Sequence, residues 1–303
     1  MPITEKQREL RRNHLGSSDI AAVLGVDPWR NAHDVWLEKT GKVEDLKENT
    51  AMQAGTMFED GVLQYAELEL GKLLRNQYRS AIGFPIASNI DALIVANKEP
   101  VEAKTAGLFG PLKEQWGEHM TDQLPDRIII QSHVHMLCAE KDICHVVAFL
   151  GGRGFCRYEI AKDDIIMNVI CEKSIEFWDY VEGDYPPPDQ VPSMAFIKRM
   201  KREPEKTVDI DPVLVDHWVK AKESLKLAEN IKDSAEEQML AALGMAEAGN
   251  LGDGRLLTYF EQCTKRIDSK RLKDELPEIA AQYLKESKFR VPRIKEPKKQ
   301  KFI

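Results

Sequence analysis

Residues 86–104 read IASNIDALIVANKEPVEAK. Two short runs, Ile90 to Val95 and Val101 to Thr105, flank the polar turn ANKEP, and their partly β-branched content bounded by Asn and Pro predicts a hairpin. Side chains two apart in a strand share a face, so Glu102 and Lys104 point the same way, and a paired strand can set the Asp91 carboxylate beside them. Two carboxylates converging on one point repel unless a divalent cation lies between them, and oxygen ligands of this kind suit Mg²⁺ or Mn²⁺. A lysine beside that cation can orient or polarise an attacking water. Asp-x10-Glu-x-Lys spacing alone arises by chance in a charge-rich chain, so the flanking sequence has to decide.

Upstream, TAMQAGTMFEDGVLQYAELEL (50–70) carries Met57, Phe58, Val62, Tyr65, Ala66 and Leu70 at helical spacing, which predicts a long helix ended by Gly71 with Glu59 near its middle. Before it, the reading is a helix over Thr4 to Asn13, a short one after GSSD with Asp19 as N-cap, and an amphipathic one over Ala32 to Thr40. Strands are expected at Leu73 to Arg79, Gly83 to Ile86, Asp91 to Val95 and Val101 to Thr105. A helix over Pro125 to Ala139 follows, then strands at His145 to Leu150 and Arg153 to Ile160 around a Gly-rich turn, and a helix from Lys162 to Gly183. The class is α/β with a mixed central sheet flanked by helices.

YPPPDQVP, residues 185–192, is the strongest punctuation, because consecutive prolines favour extended geometry and block a helix. The expected organisation is a first domain over 1–185, a Pro-rich linker over 186–211, and a mainly helical extension over 212–303. In that extension Leu214, Trp218, Ala221, Leu225, Ala228, Ala235 and Met239 recur in steps of four and three, interrupted by Lys232, as a heptad seam on one long helix, read as a self-packing arm. A strand at Arg255 to Cys263 and a helix at Ser269 to Glu286 precede a basic tail with Lys288, Arg290, Arg293, Lys295, Lys298, Lys299 and Lys301, either a solvated end or a phosphate-contacting one.

A chain of 303 residues can bury a sizeable core. No run approaches the ~20 apolar residues that cross a bilayer, and the polar opening MPITEKQRELRRN lacks a signal-peptide core, so a cytoplasmic setting without membrane contact is expected. Five cysteines, irregularly spaced and without a C-x2-C pair, argue against zinc or a disulfide framework. A net charge of -7 argues against indiscriminate coating of nucleic acid but leaves room for a local basic groove beside an acidic metal site.

Three further segments fall into line with the triple: RRNHLGSSDIAAVLG (11–25), MQAGTMFED (52–60) and QSHVHM (131–136). In order and spacing the four motifs resemble the lambda-exonuclease and YqaJ-type viral recombinase family, a branch of the PD-(D/E)xK nucleases, over about residues 7 to 185. The resemblance implies a restriction-endonuclease-like core. It makes Asp91 the bridging metal ligand, Glu102 a second, the Ala103 carbonyl a further one, and Lys104 the group that orients the nucleophilic water. It implies that Glu59 contacts a metal or its waters, where the residues alone allow a solvated helix face, and that Gln131 borders the metal site, where they allow a buried amide. Arg11 matches an arginine that grips a terminal 5′ phosphate, with Arg12 as the alternative, and Ser18 matches a serine of the same pocket; an ordinary surface arginine is the plainer reading. The sequence departs from the family at Ile90, where Pro is usual, and at His133, where a second glutamine is usual. His133 and His135 do not share a helix face, so packing or polar surface is expected of them rather than metal binding.

The resemblance implies a Mg²⁺-dependent 5′-to-3′ exonuclease on linear duplex DNA that leaves 3′ overhangs, is homo-oligomeric in the manner of a trimeric ring, and works with a single-strand annealing protein in the cytoplasm, that of the host if phage-encoded. The looser likeness of the C-terminal region suggests contacts to DNA or to another subunit, with Arg266, Lys270, Arg271, Lys288 and Arg290 as candidates. Three alternatives stay open: a structure-selective or site-specific endonuclease on the same metal core, a catalytically silent recombination scaffold, and an iron-sulfur nuclease using Cys138, Cys144, Cys156 and Cys171.

Overall fold

The structure is a computed structural model that describes residues 11–46, 49–107, 115–188, 190–286 and 290–294. The chain divides into two compact units, Met1–Lys206 and Thr207–Ile303.

The first unit is built on a five-stranded mixed sheet. Its elements are α1 (Ser17–Val23), α2 (Ala32–Lys39), α3 (Thr50–Leu70), β1 (Leu73–Ser80), β2 (Ala87–Ile94), β3 (Pro100–Ala106), α4 (Asp126–Ala139), β4 (Ile143–Leu150), β5 (Gly154–Ala161), α5 (Asp164–Glu182) and α6 (Met194–Arg199). The strands lie in sequence order, antiparallel except for the parallel pair β3 and β4. Parallel neighbours cannot be joined by a tight turn, so the chain crosses over between them, and the crossover helix is α4. That requirement lays α4 across one face of the sheet, where Ile128 and Met136 pack with Val146, Ala148 and Tyr158. The opposite face is covered by α3, whose Val62, Leu63 and Ala66 pack on Ala92, Val101 and Val147. A third cluster, built on Leu15, Ile20, Val35, Leu37, Ile170 and Phe177, gathers α1, α2 and α5 into one layer.

Several expectations are corrected. Asp19 is not the N-cap of α1: Gly16 is, and Asp19 stands three residues inside, its carboxylate accepting the Gly16 N–H at 2.9 Å. Gly83 to Ile86 is a turn rather than a strand, since Gly83 takes φ 82° and the chain reverses there from β1 into β2. Within 186–211, expected as a linker, α6 packs Phe196 into the core at 4% exposure and Val43 pairs with Met200. An apolar helical face follows the proline run closely, so the first unit continues to Lys206. The helix expected over Thr4 to Asn13 lies mostly outside the described residues, of which Arg11 and Arg12 are helical.

The second unit comprises α7 (Pro212–Leu243), the hairpin β6 (Ala248–Asn250) and β7 (Leu256–Thr258), α8 (Ser269–Glu275) and α9 (Pro277–Gln282). The strand expected at Arg255 to Cys263 is only three residues long. The helix expected over Ser269 to Glu286 breaks at Pro277, which has no N–H to donate and holds Leu276 out of the helical region at φ -133°. Of the basic tail, Lys288, Lys295, Lys298, Lys299 and Lys301 lie outside the described residues. Among the described residues no helix is long and apolar enough to cross a membrane.

Candidate active site

Asp91 stands where the sheet comes apart. On one side the β1–β2 ladder pairs Arg75 with Ala92 and Gln77 with Ile90 but skips the position between, where Asn76 takes φ 56°. On the other side the β2–β3 ladder stops at Ala92–Val101, one residue short of Asp91. Asn tolerates that left-handed conformation, and interruptions of this kind re-aim side chains next to functional sites. The carboxylate takes over the lost ladder bond, its Oδ2 accepting the Ala103 N–H at 2.8 Å. Glu102 lies across the gap and is buried, 5% exposed, with Oε1 paired to Lys104 Nζ. The hairpin register read from the sequence therefore brings Asp91, Glu102 and Lys104 together.

The electrostatics of the three are interdependent. Burial, reinforced by the charge of Glu102 and more weakly by that of Glu59, pushes the Asp91 carboxyl well above its ordinary range. Burial also opposes ionisation of Glu102, but Lys104 and His135 outweigh it and hold that carboxyl low. Lys104 is buried too, yet Glu102 and Asp91 keep its ammonium above the usual lysine value. Glu59 is half-buried on α3, close enough for its charge to act on Asp91.

From the other face α4 contributes a column. Arg127, Gln131 and His135 are spaced by four and so share one side of the helix. His135 Nε2 bonds Glu102 Oε2 at 2.8 Å, and its Nδ1 bonds Ser88 Oγ at 2.8 Å. An ionised Glu102 can only accept, so Nε2 carries the proton and Ser88 donates to Nδ1. Ser–His–Glu connectivity resembles a hydrolase triad, but Ser88 is 2% exposed inside a strand and serves to orient the imidazole. The expectation that both histidines are packing or polar surface is thus corrected for His135. His133 is structural: Nδ1 bonds the Ile129 carbonyl and Nε2 accepts the Asp163 N–H. The four-residue step from Gln131 to His135 was the signal that could have found the latter. Arg127, also missed, acts on Glu102 and Lys104 and lies against the exposed ring of Trp29 at 4.9 Å.

Arg11, Arg12 and Ser18 are exposed, on a segment pinned to the sheet by the Leu15–Ile86 bridge at the start of β2. Two residues the sequence reading passed over, Lys39 and Arg30, fix its backbone together with Asp19. Lys39 Nζ, almost fully buried, donates to the carbonyls of Arg11 and His14 and to Asp19 Oδ2. Arg30 donates to the Ser18 carbonyl at 2.9 Å and pairs with Asp19 at 3.1 Å. Burial works against the charge of Asp19, but Lys39 and Arg30 overcome it and hold the carboxyl far below its usual range. Among the described residues no hydrogen bond or ion pair joins Arg11 or Ser18 to Asp91.

Among the described residues no three His, Cys, Asp or Glu side chains stand together as a ready metal cage. The donors nevertheless suit a hard cation that keeps much of its water, since Mg²⁺ is commonly held by one or two carboxylates. Two features fit such an ion: an Asp91 carboxyl raised by burial and by the charge of Glu102, and Gln131 Oε1, buried without a hydrogen-bond partner among the described residues. Among the described residues the cysteines are free, and Cys138, Cys144 and Cys156 are buried.

Residues 7–142 match the family model of the YqaJ-like viral recombinase domain. Over that stretch the chain is similar to YqaJ-like viral recombinases. Beyond that stretch, the protein YqaJ of Bacillus subtilis (strain 168) is 29% identical over 306 residues, covering 94% of this chain and 92% of that protein. Among solved structures, LHK-Exo in complex with dAMP superposes with a TM-score of 0.50 at 18% identity, over 60% of this chain and 94% of that one. A second structure of LHK-Exo, an alkaline exonuclease from Laribacter hongkongensis, gives 0.47 at 16% identity over the same shares. The mixed sheet with its flanking helices therefore has the restriction-endonuclease-like fold expected from the sequence. The recombinase match ends before β4 and contains Glu59, Asp91, Glu102, Lys104, Gln131 and His135.

Proposed function

We propose that the chain is a Mg²⁺-dependent 5′-to-3′ exonuclease on linear double-stranded DNA, leaving 3′ single-stranded tails for recombination. The observation that carries this reading is the convergence of Asp91, Glu102 and Lys104 at the split in the sheet, inside the stretch similar to YqaJ-like viral recombinases and on an exonuclease fold. Asp91 and Glu102, with the Ala103 carbonyl and Glu59, would hold the ion, for which Mn²⁺ can substitute, and Gln131 would border it. When bound, the ion polarises the phosphate and lowers the pKa of its water. Lys104 keeps the attacking water in line, its ammonium fixed by Glu102. His135 holds Glu102 in one rotamer, leaving Oε1 turned toward Lys104 and the cleft.

Direction comes from the N-terminal segment. A guanidinium fork can bind two phosphate oxygens at once, and Arg11, with Arg12 and Ser18 beside it, sits on a backbone that Lys39 and Arg30 hold in place. A 5′-terminal phosphate is the ligand this arrangement suits. The dAMP held by LHK-Exo is the kind of mononucleotide such a reaction releases. A ring of copies around the duplex, a trimer by family analogy, would keep a chain of net charge -7 on its substrate, and a single-strand annealing protein would take up the exposed tail.

The test is digestion of blunt linear duplex, one 5′ end labelled, with Mg²⁺ or with EDTA. Release of 5′ mononucleotides in Mg²⁺ alone, lost in Asp91→Ala, is the expected result; no digestion by the wild type with any divalent metal overturns the reading. Arg11→Ala should remove the preference for 5′-phosphorylated ends, and cutting that ignores ends altogether would point to an endonuclease.

A further inference from the structure

The helix α7 is 32 residues long and none of its residues is buried. Its apolar stripe is open: Leu214, Trp218, Leu225 and Met239 are 63%, 38%, 61% and 43% exposed, and Ala221, Ala228 and Ala235 between them are exposed too. Within its own unit and among the described residues, Pro292 to Ile294 line one flank, against Val219, Glu223 and Lys226 beside Trp218 and Lys222. The stripe follows a heptad in which Trp218, Leu225, Lys232 and Met239 occupy a, and Leu214, Ala221, Ala228 and Ala235 occupy d.

Large residues thus collect at a and alanines at d. A parallel pair of such helices stacks a on a and d on d, which sets Trp218 against itself, Lys232 against itself and alanine on alanine across a void. An antiparallel pair stacks a on d. We propose that α7 is a homotypic docking surface that pairs antiparallel with α7 of a second copy of this chain. In one register Trp218 covers Ala235 of the second copy, Leu225 covers Ala228, Lys232 covers Ala221, and Met239 meets Leu214, so large side chains face small ones in three of the four layers. The same register faces Lys222 with Glu229 at the flanking e positions, twice over by the two-fold symmetry. Lys232 needs no partner from the second copy, since its ammonium is already led out of the seam to Asp233 at 3.0 Å and Glu236 at 3.7 Å on its own helix. Nucleic acid is the poorer occupant: the stripe is apolar, and its second half is flanked by Glu229, Asp233 and Glu236, which repel phosphate. The pairing does not depend on the nuclease reading.

The test is the mass of the full-length protein by sedimentation equilibrium at tens of micromolar, with helix content followed by circular dichroism. Leu225→Glu puts a charge into the seam at a site already exposed in the single copy, and should halve the mass while leaving the helix content unchanged. Lys222→Glu and Glu229→Lys should each weaken association about tenfold, and the double exchange should restore it. Within one helix these two residues are two turns apart, and in a parallel pair both lie at e and never meet, so rescue is specific to the antiparallel register. Association through the first unit multiplies every mass alike and leaves the factor of two intact. A mass unmoved by Leu225→Glu, or a double exchange that stays dissociated, overturns the proposal.

Discussion

Asp91→Asn is expected to stabilise the metal-free protein while abolishing DNA hydrolysis. The amide oxygen of Asn can still accept the Ala103 N–H that Asp91 holds at 2.8 Å, so the local geometry is retained. What disappears is a charge that burial, Glu102 and Glu59 all disfavour. Two like charges at close range repel by a few kcal/mol at an effective dielectric of about 20. Lys104, paired with Glu102, cancels more than half of that, leaving a gain of about 1 kcal/mol, or about 2–4 °C in Tm for a domain of this size. The sign follows from the direction of the shift. The Asp91 carboxyl binds its proton more tightly in the folded state, so its contribution to stability is complete below the ordinary value of 3.8 and is lost as pH rises through the raised folded value. The advantage of the Asn variant should therefore be small at pH 4 and grow as pH rises. Magnesium should reverse the order: at a hundred times its Kd the wild type gains about 2.7 kcal/mol, whereas the variant, short of one ligand, gains little. Differential scanning calorimetry in EDTA and in Mg²⁺, at pH 4 and at pH 8, reads all of this. A variant that melts below the wild type in EDTA at pH 8, or an equal gain from Mg²⁺ in both proteins, would refute the reasoning.

Three other outcomes are expected. His135→Phe leaves Glu102 Oε2 and Ser88 without their shared partner, and should weaken Mn²⁺ binding about tenfold by titration calorimetry; unchanged affinity would mean that the imidazole does not position Glu102. Asp19→Asn leaves Lys39 and Arg30 buried without their shared carboxylate, which should cost about 3 kcal/mol and erase discrimination between 5′-phosphorylated and 5′-hydroxyl ends while metal binding persists. Because Asp19 titrates far below its usual range in the folded state, the stability it contributes is present above the ordinary carboxyl value and lost as pH falls toward the folded one; the stability gap between wild type and Asp19→Asn should shrink in strong acid. Arg127→Ala removes a cation acting on Glu102 and Lys104, and should raise KM for DNA more than it lowers kcat in a steady-state assay.

Local pattern made the hairpin legible. A polar turn between two β-branched runs sets which side chains share a face, and that much places Glu102 and Lys104 together and Asp91 opposite them. The span of α3 was equally readable, because a twenty-one-residue helix with a periodic apolar stripe leaves little choice. Long-range contacts were not written locally. Nothing in a helix sequence says which sheet face it will cross, and only the parallel pairing of β3 with β4 lays α4 over the hairpin and turns His135 onto Glu102. The same holds for Asp19, Arg30 and Lys39, spread over twenty-one residues and joined only when α1 and α2 pack together. The gap in both ladders at Asp91 is likewise a tertiary fact, set by the backbone of Asn76 on a neighbouring strand. By itself the sequence determined the chemistry available, two carboxylates and a lysine on one hairpin, because strand periodicity acts between neighbours in the chain. Tertiary structure decided how that chemistry is held, because burial and pairing of charge depend on residues that meet only in the fold.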